Sequence, residues 1–238
     1  MSRENAIFAI FSAVLAQNIR IYCRFLAVYK KSPSKDACIY ALVNTDGTCY
    51  YIEKALKEGI DVNAIEAISK RHSYRGEFEQ TPVPREHLKI ILQAGLDAPS
   101  GCNRQTTSLI AVDDMEVLKK LHAVIDPPVG ETAPAAICVL SQRIIAYRDR
   151  CFSIHDYSAA IENMLIAITA LGYQSCWYEG HITDTDRIGD KMAKILGVPD
   201  GYELVCFLPI GIPKGEVKAP RKKPFSERAW FNGFGKKE

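Results

Sequence analysis

Two short stretches of this 238-residue chain carry side chains whose types and spacing could do chemistry. The first is Arg71-His72-Ser73-Tyr74-Arg75. On an extended or turning backbone Arg71, Ser73 and Arg75 project together, and two forked guanidiniums flanking a hydroxyl offer donors to a phosphate or another anion. The same residues would also make an ordinary solvated basic face. The second is Ala98-Pro99-Ser100-Gly101-Cys102-Asn103-Arg104-Gln105, small and polar residues between two apolar segments. Gly101 lets a ligand approach the backbone, while the amides of Asn103 and Gln105 each present a donor and an acceptor in one plane, which suits the edge of a heterocycle. A plain helix-to-strand connection would carry Pro, Ser, Gly and Asn as well. Metal chemistry is not indicated. The eight cysteines include no CxxC pair, and the five histidines (72, 87, 122, 155 and 181) show no HxxxH or HxH spacing. Cys102 reads as a packing residue rather than a nucleophile.

Elements must position these stretches, and the hydrophobic pattern supplies them. Val62, Ile65 and Ile68 recur at helical spacing over 61–70, and a second helix runs from Pro84, with Leu88, Ile91 and Leu92 on one face, to about Gly95. TSLIAV (107–112), AAICVL (135–140), YQSCWY (173–178) and ELVCFLPI (203–210) read as short buried strands. Helices are expected over 114–122, 158–171 and 184–196. The middle one is apolar nearly all round and is ended by Gly172; the last opens on a capping box of Thr183 with Asp186. Strands separated by helices make a mixed sheet-and-helix body without internal repeats.

Composition narrows the function. A formal charge of +2, from 30 Lys+Arg against 28 Asp+Glu, removes the broad positive field on which a nonspecific nucleic-acid binder depends. Cysteines inside apolar runs, such as Cys138 and Cys206, read as reduced core thiols, which points to the cytoplasm. Residues 6–16, AIFAIFSAVLA, are too short to span a bilayer. They read as an amphipathic helix packed on the body, on a partner or on a membrane surface, with a signal peptide as the less favoured reading. Turn residues in 30–47 suit a linker or small hairpin, and a domain boundary is placed near residue 60, leaving 1–60 as an N-terminal extension and 61–238 as the main domain.

Taken in order, R-x-S-x-R at 71–75, APSxxNxQ at 98–105, a long apolar helix ending in LGYQSCWYEG, and ELVCFLPIGIPKGE followed by Pro220-Arg221-Lys222-Lys223-Pro224 resemble the nitroreductase family of FMN-dependent oxidoreductases. The resemblance covers Asp61 to the C-terminus. It implies an α+β fold, with a central mixed or antiparallel sheet flanked by helices, and a homodimer that binds FMN at its interface through residues of both chains. It further implies that Arg71, Ser73 and Arg75 hold the phosphate, ribityl chain and pyrimidine edge, with His72 in the same motif. Asn103 and Gln105, with Pro99 and Ser100, would meet the flavin's polar edge, and the backbone N–H groups of Glu179 and Gly180, after Tyr178, would point at N5 and O4. Arg221, or Lys223 if the register slips, would close on the phosphate. Arg148, Phe152, His155 and Tyr157 are the candidates for substrate contact. No acid–base side chain is required, because the chemistry would run through flavin N5, with NADH or NADPH as donor and a nitroaromatic, quinone or enone as acceptor. A flavin-storing protein without turnover, and an anion- or nucleic-acid-binding module, are the rival readings. Thr106 and Thr107 replace the proline and aromatic that commonly follow the family's APSxxNxQ, and the first 60 residues have no counterpart there.

Overall fold

The computed structural model describes residues 41–43, 49–51, 63–183 and 185–236. The chain divides into two compact units, Met1–Gly59 and Ile60–Glu238. In the first, β1 (Ala41–Val43) pairs antiparallel with β2 (Cys49–Tyr51), Leu42 opposite Tyr50. The expected helix over 6–16 lies outside the described residues, as does most of the expected 30–47 linker.

In the second unit α1 (Ala64–Lys70) starts at Asn63, whose side-chain oxygen accepts the Glu66 N–H at 3.0 Å. It stops at Arg71, which turns extended (φ −66°, ψ 115°) and carries the chain away from the helix. α2 (Arg85–Leu96) buries Leu88, Ile91 and Gly95. A Cβ at Gly95 would stand 2.8 Å from the Met164 side chain and 2.9 Å from that of Leu109, so the glycine lets α2 close on its neighbours.

Three strands form the central sheet. β3 (Thr107–Val112) pairs with β4 (Ala135–Ser141), which pairs with β7 (Glu203–Ile210), all antiparallel. β4 is the middle strand and is buried along its whole length, so both of its faces must be covered. On one face Ile137, Val139, Val205 and Leu208 meet α2 and α4 (Ser153–Ala170), the latter through Ile161, Met164 and Ile168. On the other, Cys138, Leu140 and Phe207 meet Leu118 and Leu121 of α3 (Met115–His122) and Ile188 and Met192 of α6 (Ile188–Leu196). Alternation, interrupted in β7 by a register shift opposite Val139 and Leu140, thus divides one sheet between two helix layers. The remaining elements are a small hairpin of β5 (Ile145–Tyr147) and β6 (Arg150–Cys151), and the single turn α5 (Gly180–Thr183). None of the described helices is long and apolar enough to cross a membrane.

Three boundaries differ from expectation. α4 begins at Ser153 rather than 158, because Asp156 and Tyr157, polar in sequence, are buried in its first turns. Thr183 closes α5 with its hydroxyl 3.4 Å from the Glu179 carbonyl, and Arg187, left-handed at φ 51°, introduces α6, so no capping box forms. Residues 173–178 are not a continuous strand. Gln174 bridges Gly211 and Tyr178 bridges Phe207, and the same register would set Cys176 opposite Pro209, which has no N–H to donate. The proline interrupts what would otherwise be a fourth strand beside β7.

Candidate functional site

The extended exit from α1 decides how residues 71–75 are presented. Tyr74 donates its N–H to the Ser175 carbonyl at 2.9 Å and buries its ring edge-on to Phe78, with its hydroxyl donating to the Glu77 carbonyl at 2.7 Å. With Tyr74 inward, Ser73 and Arg75 on either side of it are exposed. Arg71 is half-buried, its Nε 3.2 Å from Oε1 of Glu162 on α4, which orients the guanidinium; His72 beside it is half-buried too.

Arg75 lines a cavity of about 350 Å³ together with Trp177, Tyr178, Glu179, Gly180, His181 and the turn 127–129. Burial pushes the nearby Cys176 thiol up to about 11, against a smaller downward pull from the Arg75 charge. Tyr178 is secured by paired backbone bonds with Phe207 of β7, by its hydroxyl on the Pro127 carbonyl at 3.1 Å, and by stacking on His181. Gly180 opens α5, so its N–H has no carbonyl a turn earlier within that helix. The Glu179 carboxylate is held at both oxygens: the Tyr157 hydroxyl donates to Oε1 and Trp177 Nε1 donates to Oε2, each at 2.6 Å. Burial and this carboxylate raise the Tyr157 phenol, so that it remains a donor, and the same two causes push up the Cys206 thiol.

The loop 98–105 borders a second cavity of about 200 Å³, lined among others by Pro99, Ser100, Gln105 and Asp156. Its backbone is unusual. Cys102, Asn103 and Gln105 all take left-handed φ (51°, 53° and 50°), which L residues disfavour. Asp156, buried in the first turn of α4, holds this shape by accepting the Gly101 N–H at 2.8 Å and the Thr106 hydroxyl at 2.7 Å. The Ser100 hydroxyl accepts the Gln105 N–H at 3.0 Å, and Asn103 and Gln105 are left exposed. Phe152 packs where a Cβ on Gly101 would stand, 2.8 Å away, and its ring meets His155 edge-on.

The structure thus brings Arg75, Tyr178, Glu179 and Gly180 together at one cavity, and Pro99, Ser100 and Gln105 at another. Arg71, His72, Ser73 and Asn103 line neither cavity, and nor do Arg221 and Lys223, which are exposed. Of the residues expected at a substrate, Arg148 is exposed with its guanidinium 5.2 Å from the Tyr147 ring, and Phe152 and His155 sit beside the 98–105 loop. Tyr157 departs from its expected place: it is buried, with its hydroxyl committed to Glu179, because the helix starts early enough to turn it inward. Sequence reasoning missed Asp156, Glu162, Trp177 and His181. For Asp156 a signal existed, an acidic residue just before the apolar run of a helix. Among the described residues no three His, Cys, Asp or Glu side chains cluster as metal ligands would.

Comparison with known proteins identifies the family and the fold. The model of the nitroreductase family matches residues 68–126 and 122–212. A protein of Archaeoglobus fulgidus, provisionally named NADH dehydrogenase/NAD(P)H nitroreductase, is 31% identical over 153 residues, 64% of this chain and 86% of that one. Among solved structures, an FMN-dependent nitroreductase from Clostridium difficile R20291 superposes with a TM-score of 0.60 at 28% identity, covering 71% of this chain and 99% of its own. A nitroreductase with bound FMN from Bacteroides fragilis gives 0.57 at 24%, covering 68% and 95%.

Proposed function

The chain belongs to the nitroreductase family, and from that premise we propose that it is an FMN-dependent oxidoreductase. In this reading a homodimer built on residues 61–238 takes hydride from NADH or NADPH and passes it to an electron-poor acceptor, a nitroaromatic, quinone or enone, in ping-pong order. The observation that carries the reading is the cavity that Arg75, Trp177, Glu179 and Gly180 line together. A planar, polar-edged ligand needs an apolar wall, a cation near the edge that gains negative charge, and a backbone donor at the reacting atom, and these residues are of that kind. When bound, FMN supplies the centre that accepts and returns the hydride.

The chain's residues do the remainder. Arg75 offsets negative charge on the ligand, and Arg71, steadied by Glu162, presents its guanidinium to the phosphate with Ser73 beside it. Gly180, whose N–H has no carbonyl a turn earlier in its helix, would offer that N–H to the flavin's reacting edge. Within one chain the loop 98–105 borders a different cavity from Arg75 and Gly180, which favours a partner chain supplying Asn103 and Gln105. Arg221 and Lys223, exposed on the C-terminal segment, are free to reach the phosphate.

The test is the visible spectrum of the purified protein, then anaerobic addition of NADH and of NADPH. A flavin band that bleaches is the expected result. A band that persists points to a flavin carrier or to a different electron donor, and the lack of any band after incubation with FMN overturns the assignment.

A further inference from the structure

The Glu179 side chain carries more than the turn it belongs to requires. Glu179 lines the cavity, and a carboxylate near such a surface is normally left to water. Here both oxygens are taken by neutral donors from different elements, Tyr157 of α4 and Trp177 of the segment beside β7, each at 2.6 Å. Trp177 can only donate, and the Tyr157 phenol is kept protonated by burial and by the carboxylate itself. The pair therefore matches an acceptor-only, ionised group and fixes its position. The backbone on either side is fixed as well, by the paired Tyr178–Phe207 bonds before it and by Ile182 N–H on the Glu179 carbonyl at 2.8 Å after it. The result is a negative charge fixed in place on a residue that lines the same cavity as Arg75.

We propose that the Glu179 side chain, with Tyr157 and Trp177 as the positioning residues that clamp it, sets how strongly this cavity discriminates between an oxidised and a reduced flavin. This rests on the FMN-binding reading above and adds to it a role for a side chain where that reading used only backbone. Glu179 acts through its charge: a ligand that gains negative charge on reduction is disfavoured by a fixed carboxylate and favoured by Arg75. Tyr157 and Trp177 moderate the carboxylate by donating to it, and hold it in place.

The experiment uses the full-length protein with FMN and chemically reduced FMN as probes, and compares the two dissociation constants. In Glu179→Gln the side-chain oxygen keeps Trp177 and the amide can donate to the Tyr157 oxygen, so the shape is retained while the charge is lost. The preference for reduced over oxidised FMN should rise by about tenfold. Tyr157→Phe keeps the charge and removes one moderating donor from a residue that does not line the cavity, so the preference should fall, by about threefold. A role limited to holding the turn would weaken both redox states equally and leave the ratio unmoved. Opposite shifts in the two variants support the proposal; shifts of one sign, or an unchanged ratio in either variant, overturn it. If the unaltered protein takes up neither form of FMN, the cofactor reading itself fails, and the two failures are thereby told apart.

Discussion

Asp156 does the work of a whole network with one carboxylate. It satisfies the Gly101 N–H and the Thr106 hydroxyl, and between them it holds a loop in which three non-glycine residues adopt left-handed backbone. Such conformations cost about 1 kcal/mol or more each and persist only where the surroundings impose them. Asp156→Ala strands both donors, and unfolding in urea should show a loss of about 3 kcal/mol, with weakened FMN binding. Asp156→Asn should cost less, because its oxygen still takes the Gly101 N–H while its amide donates to Thr106. Equal losses in the two variants would mean that the negative charge, rather than the satisfied donors, holds the loop.

At the scale of elements, α3 ends in a histidine with no polar partner. His122 packs edge-on to Phe207, both ring nitrogens are shut away from solvent without a hydrogen bond, and burial lowers its pKa below the ordinary 6.5, opposed only by the charge of Glu131. The sign follows. Above pH 6.5 the ring is neutral folded or unfolded and the stability is fully present; as pH falls below 6.5 the unfolded chain takes up the proton first, and stability is lost down through the folded pKa. Chemical unfolding at pH 7 and pH 5 should show this loss, and His122→Leu should flatten that part of the profile. α2, α3, α4, β3, β4 and β7 were all legible in the sequence, the helices from helical spacing or a long apolar run and the strands from short apolar runs bounded by turn residues. Residues 173–178 were not, since nothing in YQSCWY announces that Pro209, some thirty residues on by sequence, will stand opposite Cys176. The site was legible in the same uneven way. Its motifs were readable from residue types, whereas the carboxylates that support them, Asp156 and Glu162, owe their roles to the packing of α4 against distant segments.

For the whole molecule the separation of the two cavities makes a direct test of assembly. If a complete site takes Arg75 from one chain and Asn103 from the other, Arg75→Ala and Asn103→Ala homodimers each lack intact sites. Mixed dimers would then hold one intact and one doubly altered site. Unfolding and refolding the two variants together at equal amounts should restore roughly a quarter of the FMN-binding capacity, as half of the dimers are mixed and half of their sites are whole. No recovery would place the whole site within one chain.

One turn of α4 gains a second significance in such a dimer. Asp156 and Tyr157 are neighbours in that turn, yet the first shapes the loop that carries Asn103 and the second fastens Glu179. When each site is half of one chain and half of the other, the loop and the Glu179 turn of a given protomer serve different sites. The start of each α4 is then a shared axle between the two reaction centres: a disturbance there in a single protomer arrives at both, from opposite sides, and the pair loses function together even though only one chain was touched.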